Sequence, residues 1–302
     1  MHKDPLPTRS SNPPESPPIR EAYEDFVLSR QAMRCSPATL IHYQYSAGQF
    51  VAWLERAGIR ALEEVGPQHV RRWLAEISLR GAKDTTLHAK ARGVRALLRF
   101  WHAEGHIPHP VGVTMPKLEQ RRLPSLDAPQ LAVVLQACTK PRDRAIVHLL
   151  ADTGLRRAEA CALTWGDVDL ASGLVRVVRG KGGKARSVVV GVRTRRVLLA
   201  YRRTVKHDPD RPLLQTSTGE RLKPAGLRMV FRRLSRRTGI PLSPHALRRT
   251  FAILSLRAGM SPLHVQGLLG HSTLEMTRHY AQMVDDDLMQ AHREHGPMDT
   301  FL

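Results

Sequence analysis

Four short segments in the second half of the chain carry side chains that can hold an anion or move a proton. In TGLRRAEA, Arg156 and Glu159 lie three residues apart at the predicted start of a helix, a spacing that allows an ion pair. Taken alone, such a pair is more often a plain surface contact. In RGKGGKAR, Lys181 and Lys184 lie at the tip of a predicted hairpin, from which either ammonium group could reach a bound strand. Ala185 stands where a P-loop needs Ser or Thr, so the sequence argues against an NTP site.

The third segment, SPHALRRTF, predicts a capped helix whose first turn can bind an anion. Ser243 is a natural N-cap, and Pro244 suits the first helical position. His245 then falls in the first turn and Arg248 one turn later on the same face. Backbone amides, imidazole and guanidinium would point at one anion, although a capped helix with solvated side chains is about as common.

The fourth segment, LLGHSTLEMTRHY, places a histidine and a tyrosine around another helix start. Gly270 is predicted to end one helix, and His271 follows it directly. Ser272 and Glu275 match a capping box for the next helix, which carries Tyr280. A helical tyrosine usually serves packing, so this segment gains meaning only beside the other three.

Hydrophobic periodicity predicts a mainly α-helical protein with a small antiparallel β-sheet, and places all four segments in its second domain. The predicted organisation is a disordered Pro-rich arm (1–18), an N-terminal four-helix domain (19–110), a linker (111–126) and a C-terminal α+β domain (127–302). Within the N-terminal domain, Ser36 and Gly58 delimit one predicted helix.

The C-terminal domain is predicted to hold one hairpin among several helices. Period-two runs predict strands at 174–179 and 185–190. Helices are predicted at 128–138, 141–152, 193–205, 224–237, 244–257, 262–269 and 273–283.

The charge of the chain indicates a nucleic-acid partner. Lys and Arg outnumber Asp and Glu by 47 to 27, which gives a formal net charge of +20. Residues 126–302 carry 29 basic and 15 acidic side chains, against 18 and 12 in residues 1–125. A surplus of this size is costly in a compact state without an anionic partner, and guanidinium groups bind phosphate bidentately. A solubilising surface is the plainer explanation, but nucleic acid is favoured.

Cysteine usage fits a reducing cytoplasm. Cys35, Cys138 and Cys161 are far apart and lie in apolar helical patterns, which predicts neither a disulfide framework nor a thiolate metal site. No apolar run approaches the roughly 18 residues needed to cross a membrane. We therefore expect a soluble cytoplasmic protein with no membrane partner.

Three histidines have a spacing that resembles a metal site. His102, His106 and His109 are four and three residues apart, but Gly105 and Pro108 break the helix that would align them. Solvated histidines are the better interpretation, and we predict no metal ion and no cofactor.

The four segments, in this order and spacing, resemble the signature of the tyrosine recombinase, or phage integrase, family. The matching residues are Arg156 in GLR, Lys181 in the hairpin, His245 and Arg248 in HxxR, His271 in LGH, and Tyr280 nine residues later. The similarity extends over roughly residues 20–285, where the N-terminal helices resemble the SAM-like core-binding domain of Xer-type recombinases. Arg249 stands where many relatives have His.

The resemblance implies a site-specific recombinase that cleaves and rejoins the strands of double-stranded DNA through a 3′-phosphotyrosyl intermediate and a Holliday junction. It also implies a homo-tetramer on DNA, alone or with a paralogous recombinase, that needs neither metal nor ATP. Integration or excision of a mobile element, transposition and Xer-type dimer resolution all remain open. We expect no further N-terminal domain for accessory sites, which favours a simple Xer-like system.

The chemistry of the matched residues agrees with this resemblance. Negative charge grows on the non-bridging oxygens of a phosphodiester as a nucleophile adds, and preorganised donors stabilise it. Those donors would be Arg156, His245, Arg248 and His271, with Glu159 in support. The Tyr280 phenol, with an ordinary pKa of about 10, needs nearby cations to act as the nucleophile. The Lys181 ammonium would protonate the leaving 5′ oxygen, with Lys184 as the next candidate.

Three other functions stay open on the sequence. A type IB topoisomerase shares this chemistry, but the Xer-like helical domain argues against it. A DNA-binding protein without catalysis is opposed by the intact nucleophile and general acid. A zinc-dependent nuclease would require a metal site that the sequence does not predict.

Overall fold

The computed structural model describes residues 17–118, 124–178 and 185–270. The chain divides into two compact units, Met1–Arg121 and Arg122–Leu302, each with its own hydrophobic core. None of the described helices is long and apolar enough to cross a membrane.

The first unit is a bundle of helices around an aromatic core. Its helices are α1 (Ile19–Ala32), α2 (Pro37–Tyr43), α3 (Gln49–Arg56), α4 (Pro67–Leu79) and α5 (Asp84–Ala103). Trp101 is buried, and its indole Nε1 donates to the Ala22 carbonyl at 3.0 Å, which ties α5 to α1. The ring of Phe26 meets that of Phe100 edge-on, with centroids 5.5 Å apart. These contacts fix α1 against the longest helix of the unit.

The helix predicted between Ser36 and Gly58 is not uniform. Ser36 caps it as expected, its Oγ accepting from the Thr39 amide at 3.2 Å, but residues Gln44–Gly48 form a π-helical segment between α2 and α3. Ser46 Oγ, in this segment, donates to the His42 carbonyl of α2 at 2.6 Å. Hydrophobic periodicity does not register such a local widening, so it was not predicted from the sequence.

The π-helical segment packs directly on α5, and one glycine makes this possible. A Cβ atom on Gly93 would lie 1.9 Å from Ser46 Oγ and 2.4 Å from Ser46 Cβ. Glycine in a helix interior is otherwise unfavourable by roughly 0.5–1 kcal/mol relative to alanine. The close approach of the two backbones therefore accounts for Gly93.

The second unit surrounds its core with seven α-helices, a short 3₁₀ helix (Trp165–Asp167) and one hairpin among the described residues. The helices are α6 (Ala128–Gln136), α7 (Pro141–Thr153), α8 (Arg157–Ala162), α9 (Val192–Arg202), α10 (Pro224–Thr238), α11 (Pro244–Arg257) and α12 (Pro262–Leu269). Strands β1 (Leu174–Val177) and β2 (Arg186–Val189) pair antiparallel, with Leu174 opposite Val189. The predicted hairpin is thus confirmed, and so is the mainly α fold class with its small sheet. The helix predicted at 273–283 lies outside the described residues.

Helix α7 is the central element of the second unit, where it packs against α9 and α11. It ends at Gly154, whose φ of 60° lies in the left-handed region that favours glycine. A Cβ atom there would meet Leu269 Cδ2 at 2.5 Å and Phe251 Cδ1 at 2.7 Å. The end of α7 is therefore pressed against α11 and α12.

Of the three histidines with metal-like spacing, only His106 is drawn into the fold. His102 and His109 are exposed, whereas His106 Nε2 lies 3.3 Å from an Asp25 carboxylate oxygen. The described residues contain no group of three His, Cys, Asp or Glu side chains placed to hold a metal ion. His106 therefore ties the end of the first unit's core to α1.

Replacing Gly93 with alanine should destabilise the protein. The added methyl group would collide with Ser46, and overpacking of this kind costs about 1–3 kcal/mol. Urea titration of Gly93→Ala measures the loss. Gly267→Ala is the matched helical control, because no described atom lies within 4 Å of its Cβ position. A loss of the same size in both variants would contradict the packing explanation.

Candidate active site

The site begins at the turn between α7 and α8. Gly154 ends α7, Leu155 is buried, and Arg156 is the N-cap residue of α8. Glu159, at the third helical position, accepts from the Arg156 backbone amide at 2.8 Å and from Arg156 Nη1 at 2.9 Å. The Glu159 carboxylate thus holds both the backbone and the side chain of Arg156, and Glu159 is only 4% exposed. The surface ion pair that the spacing alone favours is wrong.

A second arginine, Arg186, also binds the Glu159 carboxylate. Arg186, the first residue of β2, donates from Nη1 to Oε1 at 2.9 Å and from Nη2 to Oε2 at 2.7 Å. Burial alone would raise the pKa of Glu159, but hydrogen bonds from Arg186 and Arg156 outweigh it and lower the pKa to about 2. The carboxylate is therefore charged at any physiological pH and is clamped between two guanidinium groups.

Arg186 was not predicted as a site residue from the sequence. It lies in the run ARSVVV, where it looks like one of many arginines on a basic chain. Its one signal was its position as a long cation at the start of a predicted strand, in alternation with the apolar Val188 and Val190. That signal does not show whether the guanidinium group is buried or exposed to solvent.

Arg248 is the most enclosed arginine of the site. It lies one turn into α11, is 6% exposed, and donates from Nη1 to the Gly154 carbonyl at 2.6 Å and from Nη2 to the Leu269 carbonyl at 2.8 Å. Ser243 caps α11 as predicted, accepting from the Ala246 amide at 3.0 Å. Arg248 therefore joins the end of α7 to the end of α12.

The carboxyl end of α12 is where the arginines converge. The carbonyls of Leu268, Leu269 and Gly270 accept from Arg186 Nε at 2.9 Å, Arg248 Nη2 at 2.8 Å and Arg156 Nη2 at 2.9 Å, respectively. The last carbonyls of a helix lack partners within the helix and carry the negative end of its dipole, so cations stabilise them. We call these three side chains the arginine clamp.

Gly270 allows the clamp to close. Its φ of 63° is left-handed, and a Cβ atom would lie 3.1 Å from Arg186 Cδ and 3.2 Å from its Nε. The sequence predicted that a helix ends here, and the structure adds the reason that glycine is needed.

His245 lies at the start of α11, three residues before Arg248, and its side chain is exposed. Although His245 is exposed, the surrounding protein partly desolvates its ring and lowers its pKa, and the guanidinium groups of Arg249 and Arg248 lower it further. Its imidazole is therefore neutral near pH 7 and can donate one hydrogen bond and accept another.

The neighbouring Arg249, which departs from the family pattern, has a structural contact. Its Nε donates to the Pro124 carbonyl at 2.9 Å, beside a 2.8 Å bond from the Leu126 amide to Thr250 Oγ1. Both bonds hold the chain that enters the second unit against α11.

The structure brings four of the seven predicted site residues into one region: Arg156, Glu159, His245 and Arg248. The other three, Lys181, His271 and Tyr280, lie outside the described residues. The described part of the site is an array of preorganised cations beside a neutral imidazole. Such an array suits a phosphate whose charge increases during reaction.

Comparison with known proteins identifies the family. The family model described as the phage integrase family matches residues 121–286, and that of the phage integrase N-terminal SAM-like domain matches residues 21–105. Tyrosine recombinase XerC of Pseudomonas putida strain F1 is 31% identical over 264 residues, which cover 84% of this chain and 88% of that protein. The chain belongs to the phage integrase family, and the resemblance inferred from the four segments is confirmed.

Solved structures show the same fold. A lambda integrase dimer bound to a COC′ core site matches with a TM-score of 0.73 at 20% identity, covering 87% of this chain and 95% of that one. A lambda integrase tetramer bound to a Holliday junction also matches with a TM-score of 0.73, at 19% identity, covering 88% and 78%. At this level of identity the likeness is one of fold.

The low pKa of Glu159 makes its contribution to stability depend on pH. A carboxylate whose pKa falls from 4.5 to about 2 on folding stabilises the protein fully above its unfolded value. That stabilisation, on the order of 3 kcal/mol, is lost as the pH falls from about 5 towards 2. Glu159→Gln should therefore have a lower free energy of unfolding than the parent protein at pH 6. This difference should shrink as the pH is lowered.

Urea unfolding of both proteins between pH 6 and pH 2.5 measures this deficit. Glu104→Gln, at an exposed carboxylate after α5, is the control and should stay close to the parent protein throughout. If the loss of unfolding free energy in Glu159→Gln stays the same over the whole pH range, Glu159 is not a charged carboxylate held by the two arginines.

Proposed function

We propose that the protein is a site-specific tyrosine recombinase that cleaves and rejoins double-stranded DNA through a 3′-phosphotyrosyl intermediate. The observation that carries the proposal is the convergence of Arg156, from the α7–α8 turn, and Arg248, from α11, on the end of α12. The segment that contains His271 and Tyr280 follows that point directly in the chain. Family membership supplies the reaction class, and this convergence supplies a site able to perform it.

The arginines act on the scissile phosphate. Arg156 and Arg248 stabilise the negative charge that grows on the non-bridging oxygens as the nucleophile adds, and their hydrogen bonds to backbone carbonyls fix them beforehand. His245 adds a neutral donor at the start of α11, and His271 a second imidazole. Glu159 keeps Arg156 in place and does not react.

The remaining roles fall to Tyr280 and Lys181. The Tyr280 oxygen attacks phosphorus, forms the phosphotyrosyl bond, and releases the 5′ oxygen of the next nucleotide. Lys181 gives that oxygen its proton, so the product is a free 5′-hydroxyl. Attack of a 5′-hydroxyl from the partner duplex reverses these steps and restores Tyr280. The phosphoester bond is kept throughout, so rejoining requires no ATP.

The proposed partner is a double-stranded recombination site bound by four copies of the chain. Exchange between two duplexes requires four strand cleavages, and each chain supplies one nucleophile. The tetrameric lambda integrase on a Holliday junction is a precedent in the same fold. Binding should weaken steeply as salt rises, because many phosphates are neutralised by a chain of net charge +20.

We place this activity in the cytoplasm, on the bacterial chromosome or a mobile element. The substrate is found there. Cys138 and Cys161 are buried, and burial raises the pKa of each thiol to about 11, which suits side chains that serve packing.

Loss of the Tyr280 oxygen should abolish covalent attachment to DNA. A suicide substrate, nicked beside the cleavage position, traps the phosphotyrosyl protein as a band of reduced mobility in a denaturing gel. Tyr280→Phe should give no such band while it binds the same site with nearly parental affinity, since only the attacking oxygen is missing. Full cleavage by this variant would refute the assignment, and absence of the band in the parent protein would favour DNA binding without catalysis.

Removal of either phosphate-facing arginine should slow cleavage strongly. Deleting one preorganised donor costs about 2.7 to 4 kcal/mol, so Arg156→Ala and Arg248→Ala should each cleave the suicide substrate roughly 10²- to 10³-fold more slowly. Arg257→Ala is the control, because Arg257 is exposed at the end of α11 and carries the same charge. Single-turnover rates within a factor of two of the parent would make these arginines structural.

A further inference from the structure

Arg186 has no role in the proposed chemistry, yet its guanidinium group donates three hydrogen bonds inside the protein. We propose that Arg186 is a positioning residue for strand cleavage: it orients Glu159, and through Glu159 the guanidinium of Arg156, while it fixes the end of α12. The inference rests on the proposed function, because it assigns the means by which that site is preorganised.

The geometry of Arg186 supports an indirect role. Its side chain is 13% exposed, and three N–H groups are directed at protein acceptors: both oxygens of Glu159 and the Leu268 carbonyl. Its guanidinium fork is therefore turned inward.

Glu159 transmits the position of Arg186 to Arg156. The Oε1 atom of Glu159 accepts from Arg156 Nη1 and Arg186 Nη1, both at 2.9 Å. Without Arg186, the buried carboxylate would keep one charged partner and lose two of the four hydrogen bonds that Arg156 and Arg186 donate to it. The Glu159 carboxylate would then be free to rotate, and Arg156 Nη1 would lose its fixed acceptor.

The second route runs through α12. Arg186 Nε holds the Leu268 carbonyl, and the next two carbonyls hold Arg248 and Arg156. Because three successive acceptors belong to one rigid helix end, a shift of that end displaces both phosphate-facing arginines together. Arg186 is the only clamp member contributed by the hairpin, so it couples β2 to that end.

The test compares Arg186→Gln and Arg186→Lys with Arg176→Gln in the full-length protein. Arg176 lies on β1 of the same hairpin, is exposed, and carries the same charge, so its loss controls for reduced net charge. Arg186→Gln should cleave the suicide substrate roughly 10- to 100-fold more slowly, by the fold-change expected for partial misplacement of a donor. Single-site affinity in a gel-shift assay should change by less than about threefold. Arg186→Lys keeps the charge but not the planar guanidinium group, so its cleavage rate should lie between those of Arg186→Gln and the parent protein.

A double-mutant cycle separates positioning from a general structural role. If Arg186 acts through Arg156, Arg186→Gln should slow cleavage clearly less in the Arg156→Ala variant than in the parent protein, and the loss that remains measures the route through α12 to Arg248. If the two losses multiply, Arg186 does not act through Arg156 and the inference is wrong. The same cycle with Glu159→Gln should also be non-additive.

The outcomes distinguish the inference from the proposed function. A parent protein that forms no covalent adduct refutes the proposed function. A parent that does so while Arg186→Gln cleaves at the same rate refutes only the role of Arg186. If circular dichroism and thermal melting show that Arg186→Gln does not fold, the positioning role is tested with Arg186→Lys instead. A folded Lys variant with a slowed, non-additive rate supports positioning, and one with the parental rate overturns it.

Discussion

The carbonyl oxygens at the end of α12 are the acceptors on which the described site depends. A helix must end somewhere, and its last carbonyls then need donors that the helix cannot provide. In this protein those donors are guanidinium groups from the α7–α8 turn, from β2 and from α11. A generic requirement of helix termination thus brings three distant cations together. The buried Glu159 offsets part of their mutual repulsion, which makes the cluster tolerable without a bound anion.

The same use of arginine recurs elsewhere in the second unit. Arg221 donates to the carbonyls of Cys161 and Leu163 at the end of α8, and Arg237 donates to the Ala137 carbonyl after α6 at 2.7 Å. Asp143, 5% exposed, lies between Arg142 and Arg233 much as Glu159 lies between its two arginines. Part of the basic surplus therefore stabilises the fold. Net charge indicated the right class of partner, although not every cation that contributes to it faces that partner.

Local signals predicted the elements well and the buried contacts poorly. The N-cap Ser243 with Pro244 gave α11 its observed start, because a cap is decided by adjacent residues. Arg156 and Glu159 were found as a pair, but the buried Glu159 has a second partner in Arg186, 27 positions further along the chain. No spacing rule links these residues, since the hairpin brings them together only in the folded chain. The π-helical segment at Gln44–Gly48 was missed for a related reason: its partner Gly93 belongs to another helix.

Main-chain acceptors also shape how this site can change over evolutionary time. A carbonyl oxygen is present whatever the side chain, so substitutions at Leu268 and Leu269 alter packing without deleting an acceptor. The donors, in contrast, belong to side chains, so a single substitution of an arginine removes the hydrogen bond that it donates. Sequence divergence near the clamp should therefore be uneven. At the helix end only packing restricts Leu268 and Leu269, and the left-handed backbone restricts Gly270, whereas the scattered arginines should be restricted by the hydrogen bonds that they donate.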